Sequence, residues 1–230
     1  MDNIKKIIEK VDEIYENPKC ELNFSSNYEL LVAVILSAQC TDKRVNIVTS
    51  QLFKNYNTPE KMITLSSVEL EEIIKPCGFF HNKAKHILDC SRDLVKKYNG
   101  EVPSNKDELK ALAGVGEKTA NVVLSNAFAI PAIAVDTHVF RVSNRLGLAC
   151  SKDVTGTQKD LERNIPVDKW IKFHYALVLH GRYVCKSQRP MCSECGLKNY
   201  CKFYAEMLKK WLKIVIFEKI LLLYYINLIF

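Results

Sequence analysis

Two glycines in the run Leu112-Ala113-Gly114-Val115-Gly116-Glu117-Lys118-Thr119-Ala120 fix the middle of this chain as a tight turn that opens a helix. Helical periodicity on both sides makes the local unit a helix, a turn and a second helix. The first N–H groups of that second helix have no carbonyl to bond within it, and the helix dipole favours an anion there. Gly114, Val115 and Gly116 therefore suit a backbone phosphate contact, with the amine of Lys118 in the first turn. A lone carboxylate follows downstream, Asp136 within Val135-Asp136-Thr137-His138-Val139. A phosphate clamp, an amine nucleophile and a carboxylate together point to chemistry on nucleic acid. The bland alternative is an ordinary helical corner with a solvated lysine, and Asp136 as the N-cap of the helix beginning at Thr137.

The rest of the chain reads as helices. Ile4, Ile7, Ile8, Val11, Ile14 and Tyr15 fall at helical spacing, and Asn17-Pro18 ends that segment. Residues 28–38 are almost wholly apolar, which at this length predicts a buried central helix rather than a membrane span. Further helices are expected over 42–55, 67–75, 81–98, 105–112, 117–128, 137–147, 155–164 and 169–183. Thr58-Pro59, Pro76 with Gly78, Gly100 with Pro103, Pro131 and Pro166 mark breaks. Ser104 with Asp107 reads as a capping box. Sustained strand-like alternation is absent, so the class is all-α.

Cys185, Cys192, Cys195 and Cys201 follow the spacing C-x6-C-x2-C-x5-C. Four thiolates in so short a loop read as a metal or cluster site. Zinc is the competitor, but zinc sites usually present two separated close pairs, and only Cys192 and Cys195 form one here. The asymmetric spacing favours a [4Fe-4S] cluster. The other five of the nine cysteines read as small, mostly buried side chains. No secretory segment marks the N-terminus, so a reducing compartment is expected. A net charge of +7 suits a polyanionic partner without establishing one.

The stretch Leu36-Ser37-Ala38-Gln39-Cys40-Thr41-Asp42 adds a third motif. With the hairpin and the cysteine loop in this order, the chain resembles the endonuclease III family of DNA glycosylases over about residues 1–205. The resemblance implies a two-domain helix-hairpin-helix glycosylase fold. A helical barrel would span 21–131, and residues 1–20 with 132–205 would form an iron-sulfur domain, with Lys118 and Asp136 facing the cleft between them. It further implies a bifunctional glycosylase/AP lyase of base excision repair acting on double-stranded DNA with damaged pyrimidines or abasic sites. The expected protein is a monomer, cytoplasmic and nucleoid-associated.

By the same resemblance Lys118 attacks the sugar C1′, displaces the base and forms a Schiff base from which β-elimination cuts the strand. An amine must be neutral to attack, and an ordinary lysine is only about 0.1% neutral near physiological pH. Asp136 would stabilise the cationic amine, so its better role is toward the sugar, supporting positive charge or relaying protons.

Gln39 matches the family's gap-filling glutamine, and Phe79 stands where many members carry a leucine wedge. A damaged base must leave the stack, so Gln39 would fill the gap and Phe79 would unstack a step by intercalating, the alternatives being a polar helix end with no ligand and a core aromatic. Lys83 and His138 are expected near the backbone, the alternatives being a solvated lysine and a buried helical histidine. Lys186 and Arg189, inside the cysteine loop, are expected on phosphates. His174 and His180 read as structural. Ala113 replaces the proline usual before the hairpin glycine, and Gly196 stands where proline is frequent. Neither change removes a donor, a ligand or the nucleophile. Residues 206–230 form an atypical apolar tail whose longest charge-free stretch, Ile220 to Phe230, is too short to span a bilayer, so membrane contact is not expected.

Overall fold

The computed structural model describes residues 2–229, with side chains described from Asn3 to Ile216. Among the described residues it holds twelve α-helices and no strand. The chain divides into two compact units, one of Lys19–Ala134 with Val167–Tyr175, the other of Met1–Pro18, Val135–Pro166 and Ala176–Phe230.

The helices, in chain order, are α1 (Asp2–Ile14), α2 (Asn27–Leu36), α3 (Asp42–Leu52), α4 (Pro59–Met62), α5 (Ser67–Ile74), α6 (Phe80–Tyr98), α7 (Lys106–Ala111), α8 (Glu117–Ala127), α9 (Thr137–Leu146), α10 (Val154–Asn164), α11 (Trp170–Tyr183) and α12 (Lys202–Ile229).

In the first unit α2 is the central rod. Leu30, Leu31, Ala33 and Leu36 are completely enclosed, as expected of a helix that is apolar on every side. Helices α3, α6 and α8 pack around it, α4 and α5 lie on α6, and α7 lies on α8. Ser26 starts α2 by accepting the Glu29 N–H. Asn105, not Ser104, caps α7, accepting the N–H groups of Asp107 and Glu108. The expected capping box does not form here, because asparagine is at least as good a cap and already has two acidic residues in the turn behind it. A true capping box forms at Ser66 and Glu69 instead. Thr58-Pro59, read from sequence as a break, starts the short α4, with threonine as its N-cap and proline in its first turn.

In the second unit α9 packs against α10 and the start of α12, while α1 lies beside the 3-10 turn Lys198–Tyr200. Val139, Val142, Leu146 and Leu148 are buried there. Helix α12 continues past the region of family resemblance. Met207, Leu208, Trp211, Leu212, Ile214 and Ile216 along it are exposed. The side chains of Ile220 to Phe230 lie outside the described residues. Among the described residues no helix is long and apolar enough to cross a membrane.

Candidate nucleic-acid and cysteine sites

The hairpin of the first unit joins α7 to α8. Gly114 sits at φ +77, a conformation that side chains disfavour, and a methyl group there would meet the His86 Cβ at 2.8 Å. Gly116, the N-cap of α8, is different. Its φ of −93 and ψ of −176 are open to any residue, and an added Cβ would meet nothing within 4 Å. The fold requires a glycine at 114 and not at 116. A bare backbone at 116 leaves room for a ligand to reach the N–H groups of the first turn, which is the physical argument for a phosphate seat.

Lys118 follows in that first turn, exposed and in no ion pair among the described residues. Its neighbour Glu117 is occupied by Lys106 and by Lys110 at 3.0 Å, both on the α7 side of the hairpin. The hydrogen bond from Lys106 is the main cause holding the Glu117 carboxyl below its ordinary range. Sequence reasoning missed this clamp, although the i,i+4 spacing of Lys106 and Lys110 on one face was there to be seen.

Gln39 and Phe79 lie in the same unit. Both are non-glycine residues in the left-handed region, at φ +53 and +49, and both side chains are exposed, Phe79 by 64%. Strain of this kind concentrates at functional sites, and a large aromatic left in solvent is not core.

Lys83 requires a correction. It is only 4% exposed, and its ammonium donates to the Leu36 and Cys77 carbonyls, both at 2.9 Å. It lies on the inward face of α6 with Ala84, Ile87, Ser91 and Leu94. Burial lowers its pKa, with the neighbouring Cys40 and Cys77 acting in the opposite direction. A cation at two carbonyls that end helical turns is a clasp between the loops of Gln39 and Phe79, with no ammonium left to offer a phosphate.

In the second unit Asp136 caps α9: one carboxylate oxygen accepts the His138 and Val139 N–H groups, both at 2.8 Å. Its other oxygen takes no hydrogen bond among the described residues. His138 is half-buried, its Cβ only 2.7 Å from where a side chain at Gly181 would begin. Its Nδ1 lies 3.2 Å from an Arg141 nitrogen.

The four cysteines Cys185, Cys192, Cys195 and Cys201 line one pocket with Leu146, Val184, Pro190, Met191 and Phe203. No three His, Cys, Asp or Glu side chains among the described residues close around a single ion. Four thiols around one apolar pocket are a donor set that suits an iron-sulfur cluster. Burial raises the thiols of Cys192, Cys195 and Cys201, so bound iron would have to hold them as thiolates.

Arg145 donates to the Cys185 sulfur at 3.4 Å and to the carbonyls of Lys186 and Ser187, and it stacks 4.5 Å from the Phe203 ring centre. Arg141 donates to the carbonyls of Cys185 and Gly181. The His180 ring lies between the Tyr15 hydroxyl at 2.8 Å and the Cys195 sulfur at 3.6 Å. Burial drives its pKa down to about 4, so the ring is neutral where it meets the Cys195 sulfur. His174 is structural, its Nδ1 2.9 Å from the Ala134 carbonyl. Lys186 and Arg189 are exposed, and Arg189 sits at φ +49.

These features define a helix-hairpin-helix protein, and residues 32–167 match the model of the HhH-GPD superfamily of base excision DNA repair proteins. Endonuclease III of Bacillus subtilis is 48% identical over 206 residues, covering 88% of this chain and 94% of that protein. A non-covalent endonuclease III–DNA complex superposes with a TM-score of 0.85 at 44% identity, covering 90% of this chain and 97% of that one. A trapped endonuclease III–DNA covalent intermediate gives 0.85 at 45%, covering 89% and 97%. The chain belongs to the endonuclease III family, the bifunctional glycosylase/AP lyases of base excision repair.

Proposed function

We propose that this protein removes oxidised pyrimidines from duplex DNA and cleaves the resulting abasic strand through a Schiff base on Lys118. The observation that carries the assignment is an exposed lysine in the first turn of α8, two residues after a glycine whose absent side chain serves no purpose in the fold. The covalent DNA intermediate trapped in a relative supports a nucleophile of this kind.

The Lys118 amine attacks C1′, the glycosidic bond breaks, and the base leaves with its electron pair and takes up a proton. The sugar ring opens to an imine, a C2′ proton is removed, and the C3′–O bond breaks, releasing the strand on the 3′ side. Water then hydrolyses the imine and frees the lysine. Asp136 is pinned by two backbone N–H groups through one oxygen, so the other is oriented to stabilise positive charge on the sugar or to carry the C2′ proton. Gln39 fills the space of the displaced base, and Phe79 wedges the opened step. Gly114, Val115 and Gly116 hold phosphate through the main chain, while Lys186 and Arg189 add phosphate contacts from the cysteine loop. His138 stands beside Asp136 as a secondary backbone contact.

The cysteine quartet would hold a [4Fe-4S] cluster, which supplies the covalent ties that keep its loop in shape. Arg145, Arg141 and His180 orient that loop from outside. A DNA substrate places the enzyme on the nucleoid.

Borohydride trapping on duplexes carrying a single thymine glycol or a single abasic site tests the assignment. Wild type should form a covalent adduct on both, and Lys118→Ala on neither, with strand cleavage reduced by about 10^3-fold or more. Adduct from the variant would remove Lys118 from the mechanism. Adduct on the abasic duplex alone would move the base specificity elsewhere.

A further inference from the structure

The hairpin carries a charge that works against the phosphate seat proposed for it. Glu117 is the first residue of α8, directly after Gly116, and no side chain caps the start of that helix. A carboxylate in the first turn is drawn to the same unpaired N–H groups and the same dipole end as a phosphate, and two anions there repel each other. The Glu117 carboxyl is held below its ordinary range, chiefly by the hydrogen bond from Lys106, so it is ionised at neutral pH. Left free, it would occupy the seat or repel what came to it.

It is engaged elsewhere. One carboxylate oxygen meets the Lys106 ammonium and the other meets the Lys110 ammonium, the latter at 3.0 Å. Lys106 opens α7 and Lys110 lies in its last turn, so both reach Glu117 from the helix before the hairpin. Their i,i+4 spacing puts them one turn apart on one face, a fork with a point for each oxygen. Helices α7 and α8 pack on each other, which keeps the fork in reach. Lys118, the next residue, is in no such pair among the described residues.

We infer that Lys106 and Lys110 are positioning residues of the hairpin, which hold the Glu117 carboxylate toward α7 and so leave the start of α8 open to a DNA phosphate. They act through Glu117 and do not touch the phosphate themselves. All three side chains are partly exposed, so the pairs add little to folding, and their consequence lies in where the carboxylate points. Two lysines against one carboxylate also leave the rim of the seat cationic. The inference rests on the phosphate contacts proposed above for Gly114, Val115 and Gly116. The rival role for the lysines is direct phosphate contact, and the two roles differ in what Glu117 does to them.

The test measures affinity of the cluster-loaded protein for a duplex carrying a stable abasic analogue, over a range of salt concentrations. Lys106→Met with Lys110→Met should weaken binding about tenfold, and adding Glu117→Gln to that chain should restore it to within about twofold of wild type. Lys106→Arg with Lys110→Arg should bind as wild type, because the fork is kept. The slope of log affinity against log salt should be the same in every variant, since no phosphate contact is lost. A loss that persists in the triple variant, with the slope lowered by about one for each lysine, would put the lysines on DNA directly and overturn the inference. Gly116→Ala, measured beside them, separates this inference from the contacts beneath it. If Gly116→Ala and the double methionine variant both bind as wild type, the seat is misplaced and the inference falls with it. If Gly116→Ala weakens binding and the double methionine variant does not, the seat stands and the roles of Lys106 and Lys110 are overturned.

Discussion

The hairpin at 112–118 and the cysteine loop at 185–201 are both short irregular segments assigned to DNA contact, yet they are held in opposite ways. The hairpin is built by chain folding. Leu112, Val115 and Ala120 are buried, Gly114 takes the one backbone conformation that its neighbours allow, and α7 and α8 pack on each other. The cysteine loop has little core of its own, Leu197 being its one fully buried apolar residue among those described. What orders it are arginine hydrogen bonds to main-chain carbonyls and four thiols aimed into one pocket. One region is complete without a cofactor; the other is shaped to be completed by one.

The largest test of this contrast is Cys192→Ser. It should abolish the visible cluster absorbance and open residues 185–201 to limited proteolysis, while Lys118 and the hairpin keep their protection from amide exchange. Loss of protection in both regions at once would show that the hairpin is not independent. Next in size is a pair of glycine substitutions. Gly114→Ala should destabilise the protein by about 1–3 kcal/mol through strain at positive φ, with a further cost for the contact to His86, read as a lower Tm. Gly116→Ala should change stability by less than about 0.5 kcal/mol and yet weaken binding to abasic duplex. Equal stability losses at both positions would remove the argument that residue 116 is bare for a ligand. Arg145→Lys keeps a charge but loses the planar fork, so cluster release into a chelator should quicken by about tenfold, with hairpin stability unaltered.

The same contrast explains what the sequence could disclose. Glycines, caps and apolar periodicity act over a few residues, so α2, α8, the hairpin and the Asp136 cap were legible, as was the cysteine spacing. Helix α4 escapes a reading of Thr58-Pro59 as a stop, because threonine and proline in that order also begin a helix. Lys83 was misplaced although the signal was present: it stands four residues before Ile87 and one before Ala84, on the stripe that α6 turns inward. Its partners, the carbonyls of Leu36 and Cys77, come from segments that only the tertiary fold brings to it. Arg141 and Arg145 share one face of α9, but nothing local says that the chain forty residues on returns to meet them. Nor could the spacing place His180 against a cysteine sulfur, because Tyr15, its other partner, lies near the opposite end of the chain.

The smallest effect sharpens the account of the hairpin itself. Glu117 joins α8 to Lys106 and Lys110, and these pairs hold its folded pKa below the ordinary 4.5. A depressed carboxyl contributes stability that is present above the unfolded value and is lost as pH falls through the folded one. The hairpin should therefore weaken only below about pH 4.5, and Glu117→Gln should remove that acid-dependent part and leave the remainder. The carboxylate is 45% exposed, so solvent screening holds the neutral-pH loss under about 1 kcal/mol. Chemical denaturation of both proteins at pH 7 and pH 4 reads the difference. A loss of several kcal/mol at pH 7 would mean that charge pairs, and not apolar packing with a required glycine, hold this turn, and the hairpin would then depend on side-chain bonds as the cysteine loop does.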